Sequence, residues 1–207
     1  MTQPHRALIV IDVQNEYFTG KLRISHPQVS TSLPNICRAM DAAHAAGIPV
    51  VVVEHLTPPG APIFARGSEG AALHPDVARR AADHRVEKSL ASALAGTDLG
   101  PWLRQRGIDT LALVGYMTHN CIDATARQAS HEGWKVEFLH DAAGALPYEN
   151  ARGRASAEEI HRVFTVVLHT GFAAAVSTDA WLAAVAAGTP LAADNVFLSH
   201  RRAVEAG

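Results

Sequence analysis

Short apolar runs of strand length alternate along the chain with longer stretches of helical period, and the order of the two predicts the fold. Residues Ala7 to Val13, ALIVIDV, are nearly continuous in apolar, β-branched side chains, the signature of a strand buried on both faces. Pro34 to Ala46 reads as a helix closed by Gly47, and Ile48 to Glu54, with VVVV at its centre, returns as a second strand. A helix over Leu99 to Gln105, stopped at Gly107, precedes a strand at Thr110 to Gly115, TLALVG. The alternation continues with a helix from about Cys121 to Glu132 and a strand at Lys135 to Leu139. A helix at Ala155 to Leu168, a short strand at Phe172 to Ser177 and a helix near Asp179 to Ala187 complete it. Parallel strands need crossover connections, almost always right-handed. The order therefore predicts an α/β fold, a three-layer α-β-α sandwich around a mainly parallel, Rossmann-like sheet of about six strands. Ligands in such sheets bind at the carboxyl ends of the strands.

Two segments stand outside this alternation. Leu56 to Gly70 carries three prolines and three glycines and reads as a long loop above the sheet, where function often resides. From about Gly188 the chain fits no sheet unit and reads as a surface or interface tail. The 207 residues suit one domain spanning 1–207. A hydrophobic share of 48% against a charged share of 18% predicts a folded core rather than disorder.

A formal net charge of -2 supplies no cationic field for nucleic-acid phosphates or anionic lipid, so the expected partner is a small molecule, with no nucleic acid and no membrane. No run approaches a membrane span, and Met1 to Arg6 lacks the anatomy of a signal peptide. Two cysteines, Cys37 and Cys121, read as reduced thiols in a cytoplasmic protein. The twelve histidines are scattered and form no compact ligand motif.

Cys121 follows the strand TLALVG across the turn Tyr116 to Asn120 and begins a helix. Unpaired N–H groups and the positive dipole end at a helix start favour a thiolate and hold an oxyanion. Spacing alone fits a buried structural cysteine at least as well. Asp12 follows five apolar residues at the carboxyl end of the first strand, as either a loop cap or a base for the thiol. Lys88, in HRVEKSLASAL, carries no signal alone.

Together the three sites resemble the isochorismatase-like cysteine hydrolases, a superfamily that includes nicotinamidases, N-carbamoyl amidases and isochorismatases. The likeness rests on LIVIDVQNEY around Asp12, VEKSLASAL around Lys88 and GYMTHNCIDATARQAS around Cys121, with HDAAGA at His140 and SAEEIHRVF at Ser156. The resemblance implies Cys121 as nucleophile, Asp12 as general base and Lys88 as the cation that orients the pair. It also implies a cis peptide between Tyr116 and Met117, an oxyanion hole from the amides of Met117 and Cys121, and assembly as a homodimer or homotetramer. Its reaction is hydrolysis of a small amide, ureido or carbamoyl compound through a thioester.

Departures refine the expectation. Metal-dependent relatives carry an Asp-x-His after the second strand and a further His; here Val53 stands at the Asp position before His55, so no metal and no cofactor is expected. Vinyl-ether-cleaving relatives generally lack the cysteine, which favours amide-type hydrolysis here. Leu94 replaces a frequent phenylalanine beside the pocket. Gln14, Phe18, Phe64 and Tyr116 are candidate substrate-binding residues, and Tyr17 also follows Asp12; the aromatic side chains serve equally as core anchors. His119 reads as a surface or subunit contact, and Trp102, Trp134 and Trp181 as packing residues. Two other classes compete. A nucleotide-binding domain is opposed by DVQNEYFTG in place of a glycine-rich turn, and a catalytically silent scaffold by the intact trio.

Overall fold

The computed structural model describes residues 3–205. Its elements run β1 (Arg6–Ile11), a 3-10 turn (Asn15–Tyr17), α1 (Val29–Ala45), β2 (Val50–His55), α2 (Pro75–Ala78), β3 (His84–Lys88) and α3 (Leu99–Gln105). They continue with β4 (Thr110–Tyr116), a π-turn (Thr118–Ile122), α4 (Asp123–His131), β5 (Lys135–Gly144), β6 (Tyr148–Asn150) and β7 (Gly153–Ala155). The last are α5 (Ala157–His169), β8 (Ala174–Val176), α6 (Thr178–Ala187) and α7 (Val196–Glu205). Six strands pair in the order β3-β2-β1-β4-β5-β8, every pair parallel, and β6 and β7 form a separate antiparallel hairpin.

Side-chain alternation along β1 separates two cores. Ala7, Ile9 and Ile11 face the layer of α3, α4 and α5, meeting Leu103, Ala126 and Leu168. Leu8 and Val10 face α1 and α6, meeting Met40 and Trp181. Both faces are therefore covered, which is why the central strands read as unbroken apolar runs. At the amino edge of the sheet, buried Arg6 holds Glu137 through two 2.8 Å hydrogen bonds, and Trp181 Nε1 donates to the same carboxylate. These bonds tie β1, β5 and α6 together.

The sheet order reverses direction between β1 and β4, the place where open α/β sheets form a ligand crevice. Register aligns the crevice edge: Ile11 stands level with Val53 and Gly115, and His55 with Lys88. Gly115 has a φ of 110°, and a Cβ there would lie 2.0 Å from the Ile11 carbonyl oxygen. No other residue fits, so β4 can approach β1 just before the Cys121 turn only with glycine at this point.

Several elements differ from the sequence expectation. The sixth strand is β3, an edge strand whose inward side chains are Val86 and Lys88. Helix α1 begins at Val29 and carries Pro34 inside it rather than at its start. The tail contains a helix, α7, with no buried side chain. Helix α5 starts behind a capping box in which Ser156 and Glu159 satisfy each other's backbone N–H groups, and α6 ends at Gly188 in the left-handed conformation. No described helix is long and apolar enough to cross a membrane.

Candidate active site

Asp12, Lys88 and Cys121 come from three different strand ends and meet in one buried cluster. Asp12 is the first residue beyond β1; its N–H donates to the Val53 carbonyl, and its φ of 52° turns the chain sharply. A left-handed φ on a residue other than glycine is uncommon, and clusters of such strain accompany functional sites. Lys88 ends β3 with its side chain directed inward, and Cys121 lies in the π-turn between β4 and α4. The Lys88 Nζ stands 2.8 Å from Asp12 Oδ2, 3.2 Å from Cys121 Sγ, 3.2 Å from the Leu90 carbonyl and 3.3 Å from His55 Nδ1. Thr125 fixes the Cys121 turn, donating to the Cys121 carbonyl and accepting from Ala93 N–H, which binds the loop after β3 to α4. The Tyr116–Met117 peptide is cis.

Burial dominates the electrostatics. It raises the pKa of the fully enclosed Asp12 carboxyl, with the Lys88 charge opposing. Burial, followed by the neighbouring Asp12 charge, pushes the Cys121 thiol up to about 12 against the pull of Lys88. The expected helix-start effect does not decide the thiol's state. At 5% exposure, desolvation of the thiolate outweighs the dipole, and the resting side chain is a thiol. Alkylation of Cys121 by iodoacetamide should therefore rise about tenfold per pH unit from pH 7 to 10 without levelling. A plateau below pH 9, read by mass spectrometry of the labelled peptide, would contradict this state.

A cavity of about 320 Å³ opens over the thiol. Tyr17, His55, Phe64 and Met117 line it with Cys121, and Phe64 packs its ring on Tyr17 and His55. Of the four predicted substrate-binding residues, Phe64 reaches this wall. The other three support it from behind. Gln14 is fully buried, and its amide clamps the backbone of His55 in both directions while donating to the Ala71 carbonyl. Phe18 packs on His74 and Tyr116. Tyr116 lies beneath Tyr17 and bonds its hydroxyl to Ser32 at 2.8 Å.

Sequence reasoning missed Leu22, Ile63, Ala91, Asn120 and Tyr148, which complete the wall. Ala91 and Asn120 lie inside the VEKSLASAL and GYMTHNCIDATARQAS segments without a role of their own, Leu22 and Ile63 carry no motif, and Tyr148 arrives on the short polar hairpin β6–β7. Leu94 is buried in the core with Leu99 rather than in the cavity. His119 is part-buried: both ring nitrogens are enclosed without a hydrogen-bond partner among the described residues, the ring stands edge-on to Tyr148, and burial pushes its pKa down to about 4. Among the described residues, no three His, Cys, Asp or Glu side chains converge as a metal-ligating group. A second cavity of about 290 Å³ lies at the other end of the sheet among Trp134, Phe172 and Leu191, away from this cluster.

Comparison with known proteins agrees with this architecture. Residues 6–180 match the family described as Isochorismatase domain. A crystal structure from Burkholderia xenovorans LB400, described as an isochorismatase, is 63% identical and superposes with a TM-score of 0.97 over 98% of each chain. A secreted isochorismatase effector of Verticillium dahliae is 39% identical over 66% of this chain and 71% of its own length. A streptothricin hydrolase of Streptomyces noursei is 33% identical over 66% of this chain and 49% of its own. The chain belongs to the isochorismatase family of hydrolases.

Proposed function

We propose that the protein hydrolyses an amide-type C–N bond of a small molecule, whether amide, ureido or carbamoyl, through a thioester on Cys121. The observation that carries this reading is the single Lys88 ammonium held 2.8 Å from Asp12 and 3.2 Å from the Sγ of Cys121, whose side chain lines an open cavity of about 320 Å³. Similarity to a streptothricin hydrolase supports it.

Because the resting group is a thiol, proton removal accompanies attack. Asp12 takes the Sγ–H proton as sulfur bonds to the carbonyl carbon, and the oxygen gains the negative charge. The N–H groups of Met117 and Cys121 hold that oxygen. When the intermediate collapses, the C–N bond breaks and the proton on Asp12 passes to nitrogen, which leaves as ammonia or an amine. Water then adds to the thioester while Asp12 takes its proton. The C–S bond breaks, the acid departs and the thiol recovers its proton. Lys88 pairs with Asp12 between proton transfers and offsets negative charge near sulfur.

Ammonia release from a panel of small amides and carbamoyl compounds tests this reading, with and without a chelator. Added hydroxylamine should divert the thioester to a hydroxamate. Chelator-resistant ammonia release with hydroxamate formation is the expected result. Cleavage of a vinyl ether with no release from any amide, or inertness throughout, would replace it with the other chemistry of the family or with a silent scaffold.

A further inference from the structure

The hydrolase reading leaves His55 without a role, yet its position is unusually well determined. Its backbone N–H and carbonyl are both bonded to the Gln14 amide at 2.9 Å, and its ring stands edge-on to Phe64. The same Lys88 ammonium that touches Cys121 Sγ also touches His55 Nδ1. An ammonium only donates, so the tautomer compatible with this contact has Nδ1 accepting and the ring proton on Nε2. Nε2 has no hydrogen-bond partner among the described residues, and His55 lines the cavity over the thiol. Burial, helped by the Lys88 charge, lowers the His55 pKa, so the ring is neutral at pH 7.

The wall as a whole is uncharged. It combines aromatic and aliphatic surface with the polar tips of His55, Asn120 and the tyrosines. Lys88 is committed to Asp12. Lys21 and Arg23 line an adjoining outer groove beyond Leu22 and Tyr148, where their cationic groups bond backbone carbonyls of Pro62, Gly20 and Thr19. A carboxylate carried near the scissile amide would lose its water and meet no cation.

We propose that His55 is a specificity-determining residue that donates its Nε2–H to an acceptor oxygen of the substrate, and that the cavity selects an uncharged amide with a compact apolar acyl group over one bearing a carboxylate. This rests on Cys121 being the nucleophile, and aldehydes separate the two ideas. The thiol adds across an aldehyde carbonyl, sulfur bonding to carbon and the thiol proton ending on oxygen, so binding needs no turnover.

Butyraldehyde and succinic semialdehyde, equal in chain length but differing in one carboxylate, are titrated calorimetrically into wild type, Cys121→Ala, His55→Leu and His55→Gln. Butyraldehyde is expected to bind wild type at least about tenfold more tightly than succinic semialdehyde, and to lose binding in Cys121→Ala. His55→Leu should weaken butyraldehyde about tenfold, the effect of one lost hydrogen bond in a buried site. His55→Gln, which keeps an acceptor for Lys88 and a donor for the ligand, should restore most of it with unchanged Tm. Equal affinity for the two aldehydes, or His55→Leu behaving as wild type, or His55→Gln no better than His55→Leu, overturns the inference and leaves the hydrolase standing. Failure of both aldehydes to bind in a Cys121-dependent way overturns the hydrolase reading and the inference with it.

Discussion

Cys121→Ala is expected to lower kcat/KM for an amide substrate by about 10⁴- to 10⁶-fold while the protein remains folded. The size follows from the chemistry left behind. Without sulfur no thioester forms, and Asp12 can at best direct water at the carbonyl from a position built for a thiol. The proposed oxyanion donors, the amides of Met117 and residue 121, and the cavity persist, so a residual rate above that in water should remain. The fold should tolerate the change. Cys121 packs with Ile122 and Ala126, its turn is fixed through its carbonyl by Thr125, and removing one sulfur leaves these contacts in place. Ammonia release under single-turnover conditions, beside a thermal melt of both proteins, measures the two effects separately. Retention of activity within tenfold of wild type would exclude covalent catalysis at this residue.

The central architecture was legible because the strands that carry it are buried on both faces. ALIVI and LALV had to be apolar throughout, and the positions that follow them, Asp12 and the Cys121 turn, were thereby placed at one edge of the sheet. The edge strand was not legible. β3 has one apolar residue, Val86, and an alternation of exposed and buried positions too short to stand out from loop. Lys88 therefore acquired meaning only through resemblance, although its burial follows directly once β3 is paired with β2.

Side-chain direction near the site was beyond pattern reading for a different reason. The positive φ at Asp12 redirects the chain, so Gln14 turns under the loop to clamp His55 instead of facing the cavity. The aromatic residues Tyr17, Phe18 and Tyr116 exchange partners in one stack, and which of them borders empty space depends on all three at once. The thiol's state was misjudged because a helix start was weighed without the desolvation that deep burial imposes.

The second large effect concerns the ion pair itself. Asp12→Asn and Lys88→Met should each reduce kcat/KM by about 10³-fold or more, since one removes the base and the other leaves that base and the thiol without their common cation. Each should also cost about 3 to 5 kcal/mol of stability, because both partners are fully enclosed and each single change strands the other as an unpaired buried charge or an unsatisfied polar group. The double variant Asp12→Asn/Lys88→Met removes both charges together and should be more stable than the additive sum of the singles by several kcal/mol. The two effects therefore part: stability recovers in the double variant and activity does not. The pH dependence has a definite sign. Burial raises Asp12 above its ordinary value of 3.8, so the folded state binds that proton more tightly than the unfolded chain. Its contribution favours the folded state below pH 3.8 and is lost as pH rises through the raised value. Relative to wild type, the double variant should therefore gain stability across that window and hold the gain at higher pH. Urea unfolding of the four proteins at pH 4 and pH 8 measures the cycle. Additive singles at pH 8 would show that Asp12 and Lys88 do not act as a pair.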